Sequence, residues 1–312
     1  MYFDDYDSPV FRPPSEAYSF ILRLTRGCAH NKCTYCNMYR GVPFQVLTDE
    51  QIMRQISMAQ AYNAKEVRRV FFADGDALVL STDRLLRVLS TLHEVFPNFE
   101  RASSYAAPKD ILRKSPEELV RLREAGLTLL YYGMETGDAE TLKKINKGVD
   151  DKESIEVGQR VIAAGMKLSM MVILGIAGAD GSERHALETA KAINAIRPTM
   201  LGAICLMLYR GSELKAQFER GEFTPLSPAG LMEELKLMIE HVDLPATEHC
   251  LFRSNHISNY VPLKATLPED KEQLLRDITY SIGELKKLKD WDVYNHDKYG
   301  SPSECVENKH VK

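Results

Sequence analysis

Thr25-Arg-Gly-Cys28-Ala-His-Asn-Lys-Cys33-Thr-Tyr-Cys36-Asn-Met-Tyr39 sets three cysteines at a C-x4-C-x2-C spacing, directly after an apolar run that reads as a strand. The other three, Cys205, Cys250 and Cys305, stand alone. Three thiolates within nine residues reach one centre without closing a long loop, which is the signature of a metal or cluster site. Three identities compete. A plant-type [2Fe–2S] ferredoxin opens with the same run but takes a fourth cysteine, and here the next one, Cys205, comes 169 positions after Cys36. A structural zinc site would recruit His30 as its fourth ligand. A [4Fe–4S] cluster on three thiolates leaves one iron open to a substrate or cofactor, as an open catalytic metal site does.

Outward from this loop, hydrophobic runs alternate with helical patterns. Residues 1–17, with Pro9, Pro13 and Pro14, read as an irregular arm, and Tyr18–Leu24 as the first strand. Thr48 and Gln51 form a capping box for a helix with Ile52, Ile56, Ala59 and Tyr62 at helical spacing. Val67–Ala73 is a second strand that ends in Asp74-Gly-Asp76, and a helix starts at Thr82 or Asp83. Glu100–Tyr105 is a third strand, and Ser115-Pro-Glu-Glu118 opens another helix. Leu127–Met134 is a fourth strand before Glu135-Thr-Gly137, followed by helices over 138–147 and 151–164. Met166–Leu174 is a fifth strand ending in Gly175-Ile-Ala-Gly178, then a helix over 182–196 and a sixth strand, Thr199–Leu208. Such alternation gives an α/β fold with a parallel sheet, either open and doubly wound or closed toward a barrel. In both architectures ligands bind at the carboxyl ends of the strands. The distinctive residues gather there: the cysteines, Gly75 and Asp76, Ser103 and Ser104, Glu135, and Gly175 with Gly178.

The composition narrows the function. A net charge of −4 over 312 residues leaves no global basic face for nucleic acid. Lys143, Lys144 and Lys147 read as a solvated helix face rather than an RNA patch. No run approaches the ~18 apolar residues of a membrane span. The acidic start, Met1-Tyr-Phe-Asp-Asp-Tyr-Asp, has no signal-peptide pattern. Dispersed cysteines without such a signal point to a reducing cytoplasm.

Cys28, Cys33 and Cys36, with the aromatic Tyr35 before the last, resemble the cluster loop of radical S-adenosylmethionine (SAM) enzymes, lengthened by one residue in the first gap. Asp74-Gly-Asp76 resembles the family's SAM-ammonium segment, and Ile173-Leu-Gly-Ile-Ala-Gly178 its adenine segment. Tyr132-Gly-Met-Glu-Thr-Gly-Asp138 with Leu142-Lys-Lys-Ile-Asn-Lys-Gly148 is similar to the subgroup holding the Elongator catalytic subunit, methylthiotransferases and oxygen-independent coproporphyrinogen oxidase. The resemblance covers residues 18–210 and implies a partial (β/α)6 barrel with a mixed C-terminal extension over 211–289 and a polar tail over 290–312. It implies Cys28, Cys33 and Cys36 as ligands of a [4Fe–4S] cluster. It implies Tyr35, Gly75, Asp76, Ser103, Ser104, Glu135, Ile173, Gly175 and Gly178 around SAM, and a reductant such as flavodoxin or ferredoxin. The reaction it implies is reductive cleavage of SAM to methionine and a 5′-deoxyadenosyl radical, which takes hydrogen from a substrate, a small molecule in preference to tRNA. Such an enzyme is oxygen-sensitive and needs no acid–base triad.

Alternatives stay open at this level. A branch of the family transfers an aminocarboxypropyl group, and a non-catalytic electron-transfer or zinc-stabilised binding protein shares the cysteine loop. Glu135 also suits a helix cap, Gly75 and Asp76 an ordinary turn, and the two serines local hydrogen bonds. Met170 and Met171 read as core. Ser227–Val242 and Glu269–Leu288 read as helices and Leu251–Ile257 as an edge strand. The polar Arg253–Tyr260 segment reads equally as a cover for the barrel mouth or a surface loop. Cys205, Cys250 and Cys305 are too dispersed to announce a second cluster.

Overall fold

A computed structural model describes residues 10–287, so Cys305 and the polar tail lie outside the described residues. In chain order the strands are β1 Phe20–Arg23, β2 Thr25–Arg26, β3 Gln45–Val46, β4 Arg69–Ala73, β5 Arg101–Tyr105, β6 Leu127–Glu135, β7 Lys167–Leu174, β8 Met200–Cys205, β9 Cys250–Ser254 and β10 Leu263–Leu267. The helices are α1 Asp49–Asn63, α2 Thr82–Val95, α3 Pro108–Arg113, α4 Pro116–Glu124, α5 Ala139–Lys144, α6 Asp151–Ala163, α7 Gly178–Ile196, α8 Glu213–Glu219, α9 Pro228–His241 and α10 Lys271–Leu285.

Eight strands form one sheet in the order β1-β4-β5-β6-β7-β8-β9-β10, and β2 pairs with β3 apart from it. From β1 to β8 the order never reverses. A doubly wound sheet reverses at its switch point, so this winding is that of a barrel. β9 adds to β8 in parallel, and β10 pairs antiparallel with β9. Leu251–Ile257 is therefore not the edge. Leu263–Leu267, a strand the sequence reading did not assign, lies outside it.

Two compact units divide the described chain. The first holds residues 10–31, 38–132 and 156–168. Its strands β1 and β4 are buried almost throughout, as expected where both sheet faces are covered. Both capping boxes form: Thr48 with Gln51 on α1, and Ser115 with Glu118 on α4. Each satisfies two backbone N–H groups that would otherwise lack partners. Ile52, Ile56 and Ala59 of α1 are buried, but Tyr62 is 71% exposed and belongs to the solvent face. The described part of the arm, residues 10–17, is anchored at Glu16. Glu16 is fully buried and accepts from Tyr131 Oη at 2.6 Å, from Arg101 at 3.0 Å and from Ser19.

The second unit holds residues 32–37, 133–155 and 169–287. β7 and β8 pair in parallel from Ser169↔Met200 to Leu174↔Cys205. α9 lies against α7 and α10 and buries Leu231, Leu235, Met238 and Ile239. A large apolar side chain buried this way contributes about 1.5–3 kcal/mol. α7 starts at Gly178, four residues before its expected start. Its first turn has no side-chain cap, and Ala179 N–H donates instead to Thr224 O at 2.8 Å. β8 stops at Cys205, while Met207 and Leu208 remain buried beyond the ladder. Among the described residues no helix is long and apolar enough to cross a membrane.

Candidate functional site

In the first unit, the segment before Cys28 is fastened from beneath by charge. Asp74, at the end of β4, is completely buried and pairs with Arg23 of β1 at 3.1 Å. Its Oδ2 also accepts from Gly27 N–H at 3.1 Å. Gln55 of α1 completes the anchor, accepting from Arg23 N–H and donating to Arg23 O, both at 2.9 Å. Burial pushes the Asp74 carboxyl above its ordinary pKa, and Arg23 opposes that shift. Gly27 takes φ +75°, and Gly75 N–H donates to Gly27 O at 3.2 Å. A Cβ at Gly75 would stand 3.3 Å from Cys28 Cβ and 3.1 Å from the Tyr39 ring, so a larger residue would crowd the cysteine and the ring. Asn31 N–H points at Cys28 Sγ at 3.5 Å.

Asp76 is 2% exposed and meets a residue that sequence reading passed over, Asp110 of α3. Burial, and then the hydrogen bond and charge of Asp110, raise the Asp76 carboxyl to about 8, against a donation from Ala29 N–H. Both causes favour the protonated form of Asp76. Ser103 and Ser104 are fully buried. Their hydroxyls meet carbonyls of β4, Val70 O and Phe72 O, at 3.4 Å, and Ser104 also donates to Tyr105 O at 2.8 Å.

In the second unit, Cys33 and Cys36 lie on a short segment held by backbone bonds. Thr34 N–H donates to Ile145 O at 3.0 Å, and Leu214 N–H donates to Thr34 O at 2.9 Å. Tyr35 packs on a cluster of Ile145, Ile173, Ile176, Leu208 and Leu214. Its hydroxyl donates to Glu135 Oε1 at 2.9 Å, which also takes Lys147 Nζ at 2.8 Å. Burial and then the Glu135 charge hold the Tyr35 hydroxyl well above its ordinary pKa. Glu135 takes φ +67° and does not cap α5, because Asp138 does so by accepting from Thr141 N–H at 3.0 Å. Lys147 is not on a solvated face either: its side chain is 11% exposed, whereas Lys143 and Lys144 are exposed as expected. Nothing in a Lys-rich run announces a buried member. In the structure α5 ends before it, with Asn146 at φ +53°.

Gly175 and Gly178 turn the chain between β7 and α7 at φ +80° and +70°. Cβ atoms there would approach Leu231 at 2.7 Å and Phe223 at 3.0 Å. In the Arg253–Tyr260 segment, Asn259 is buried and donates to Ala203 O at 3.0 Å and to Ser254 Oγ at 2.5 Å, so that end of it is structural.

The five described cysteines separate by environment. None forms a disulfide, and Cys28, Cys33 and Cys36 are partly exposed whereas Cys205 and Cys250 are buried. Burial pushes both buried thiols up to about 12, so they are poor thiolate ligands. The register Met200↔Leu251 sets Cys250 beside the start of β8 and Cys205 at its end, about 20 Å apart at roughly 3.3 Å per residue. They cannot share a cluster. By contrast, Cys28, Cys33 and Cys36 are each partly exposed and outside any disulfide, and a backbone N–H is aimed at Cys28.

Comparison with known proteins agrees. A family model described as the Radical SAM superfamily matches residues 22–190, more than half of the chain. The heme chaperone HemW of Bacillus subtilis (strain 168) is 22% identical over 174 residues, 54% of this chain and 46% of that protein, so the chain spans about half the length of this curated relative. Coproporphyrinogen III oxidase (HemN) from Escherichia coli shares the fold at 16% identity, with a TM-score of 0.53 over 71% of this chain and 51% of that one. Archaeal Elp3 from Methanocaldococcus infernus does so at 15% identity, with a TM-score of 0.51 over 85% and 63%. These neighbours belong to the subgroup that the Tyr132–Gly148 motifs resemble, and the parallel sheet is a partial (β/α)6 barrel with a mixed C-terminal extension. The chain belongs to the radical SAM superfamily, and its cofactors are those of the family, SAM and a [4Fe–4S] cluster.

Proposed function

We propose that this protein is a cytoplasmic, oxygen-sensitive enzyme that uses SAM to abstract hydrogen from a small-molecule substrate. The observation that carries the reading is the sorting of the thiols: three accessible cysteines on one loop, and the two other described cysteines buried and protonated. Cys28, Cys33 and Cys36 would hold the cluster. When bound, the reduced cluster and SAM supply a 5′-deoxyadenosyl radical and release methionine.

The chain's own groups then orient the cofactor. Gly75 gives the SAM ammonium room to approach, and the Asp76–Asp110 pair receives its charge. A cation beside Asp76 opposes the burial that raises it and favours its ionised form. Lys147 offers a cation to the SAM carboxylate, and Tyr35 and Glu135 fix the position of its Nζ. The Gly175–Gly178 turn presents backbone to the adenine, with Ile173 on the apolar cluster beside Tyr35. Ser103 and Ser104 line the strand end with hydroxyls already donated to backbone. An external one-electron donor of the flavodoxin or ferredoxin kind supplies the electron.

Product analysis tests the reading. Reconstituted protein with dithionite and SAM is expected to release methionine and 5′-deoxyadenosine. Methylthioadenosine in their place would mean aminocarboxypropyl transfer, and no SAM-derived product would leave an electron-transfer or zinc-stabilised protein. The match to a heme chaperone carries a second reading, in which the chain carries heme instead of turning over a substrate. A stoichiometric heme absorption band without SAM cleavage would favour it.

A further inference from the structure

Glu234 lies in the middle of α9, in no recognised motif, among the apolar residues Leu231, Leu235 and Met238. It is 3% exposed, yet no lysine or arginine is paired with it among the described residues. A carboxyl without a cation is expensive to bury, and leucine would serve packing alone. What it does hold is specific. Oε1 accepts from Gly175 N–H at 2.7 Å, and Oε2 accepts from Ser182 Oγ at 2.5 Å. Gly175 is the first residue of the turn read as the adenine segment. Otherwise that turn is closed by its own bonds, Gly178 N–H to Gly175 O at 3.0 Å and Ile176 N–H to Ile173 O at 3.4 Å.

A second buried residue extends the reach. His185 Nε2 stands 3.6 Å from Glu234 Oε1. On its other side, Nδ1 lies 2.8 Å from Thr136 Oγ1 and 3.4 Å from Thr189 Oγ1. These hydroxyls accept from Asp138 N–H and Gly137 N–H, each at 3.0 Å. With a 3.6 Å gap between Glu234 and His185, whose Nε2 makes no hydrogen bond among the described residues, these buried contacts run from the turn after β7 to the turn after β6, which carries Glu135. Burial raises Glu234 to about 7 and lowers His185 to about 4, so the imidazole is neutral. The other titratable neighbours are Cys205 of β8, whose thiol feels the Glu234 charge, and Asp138, which is bound by Arg184 at 2.8 Å.

We propose that Glu234 and His185 are positioning residues for the cofactor: a buried tie from α9 that locks the Gly175–Gly178 and Glu135–Asp138 turns into one binding-competent arrangement. The claim rests on the functional reading above. It makes the C-terminal extension part of the cofactor site, since the tie originates outside the strands and turns that carry the family motifs.

Hydrogen exchange tests the tie without any cofactor. Hydrogen bonds to a charged group are strong enough that losing one should speed exchange about tenfold or more. In Glu234→Ala, amides of 175–178 should exchange at least tenfold faster than in the native chain, while amides of β1 keep their rates. Glu234→Gln, which keeps an acceptor at Oε1 and the volume, should restore protection to within about threefold. In the reconstituted protein the SAM Kd, by calorimetric titration, should weaken about tenfold in Glu234→Ala and recover in Glu234→Gln. Should Glu234→Ala not fold, Ser182→Ala removes one bond from the same carboxyl and should give a smaller shift at the same amides. Uniform acceleration across the chain would overturn the proposal, as would faster turn exchange with an unchanged SAM Kd. If native protein binds no SAM although the turn is protected, the functional reading fails by a separate readout, and the cofactor role of the tie goes with it.

Discussion

Replacing Arg23 with methionine tests whether buried charge holds the cluster loop. Arg23 is 1% exposed and Asp74 not at all, with 3.1 Å between them. Removing one partner of such a pair strands the other and costs about 3–5 kcal/mol. At this chain length that is a fall in Tm of about 6–10 °C, at roughly 2 °C per kcal/mol. The loss has a pH signature. Burial already raises the Asp74 pKa and Arg23 lowers it, so the variant's folded pKa lies further above the unfolded value. A raised carboxyl binds its proton more tightly in the folded state, so stability declines as pH rises from the unfolded pKa toward the folded one. The deficit against the native chain should therefore be larger at pH 8 than at pH 5. Scanning calorimetry at the two pH values measures it. Replacing both residues, Arg23→Met with Asp74→Leu, should recover part of the loss, because no bare charge remains. A deficit below about 1 kcal/mol, or one equal at both pH values, would refute the argument.

Three further outcomes are expected. Gly75→Ala puts a methyl against Cys28 and the Tyr39 ring, which should cost about 1–3 kcal/mol and reduce the iron retained after reconstitution; full iron content with an unchanged Tm would show the approach is not tight. Lys147→Met leaves Glu135, at 9% exposure, without its cation. The SAM Kd should then rise about tenfold, worth about 1.4 kcal/mol, whereas an unchanged calorimetric Kd would remove Lys147 from the site. Cys205→Ser and Cys250→Ser should bind as much iron as the native protein, while Cys33→Ala should not; iron lost from Cys205→Ser would contradict the sorting of the thiols.

The strand-end motifs were readable because their chemistry is local. Cysteine spacing, Asp74-Gly-Asp76 after an apolar run and Gly175-Ile-Ala-Gly178 after another need no knowledge of distant contacts, and both capping boxes are visible within four residues. What stayed hidden depends on pairing across the chain. Asp110 matters only because α3 brings it to Asp76, a contact with no local signal. Lys147 sits in a run that looks solvated until Glu135 and Tyr35 meet it. Glu234 is one acid among several on α9, and only its bonds to Gly175 and Ser182 mark it. β10, bracketed by prolines, became a strand by pairing with β9, which has no local signal.

The central claim is that Cys28, Cys33 and Cys36 hold a [4Fe–4S] cluster with an iron left for SAM. Anaerobic reconstitution with iron and sulfide, followed by electron paramagnetic resonance of the reduced protein with and without SAM, tests it most directly beside a Cys36→Ala variant. The account predicts a [4Fe–4S] signal that shifts when SAM is added and is lost in the variant. A [2Fe–2S] signal, or tightly bound zinc with no response to SAM, would contradict it.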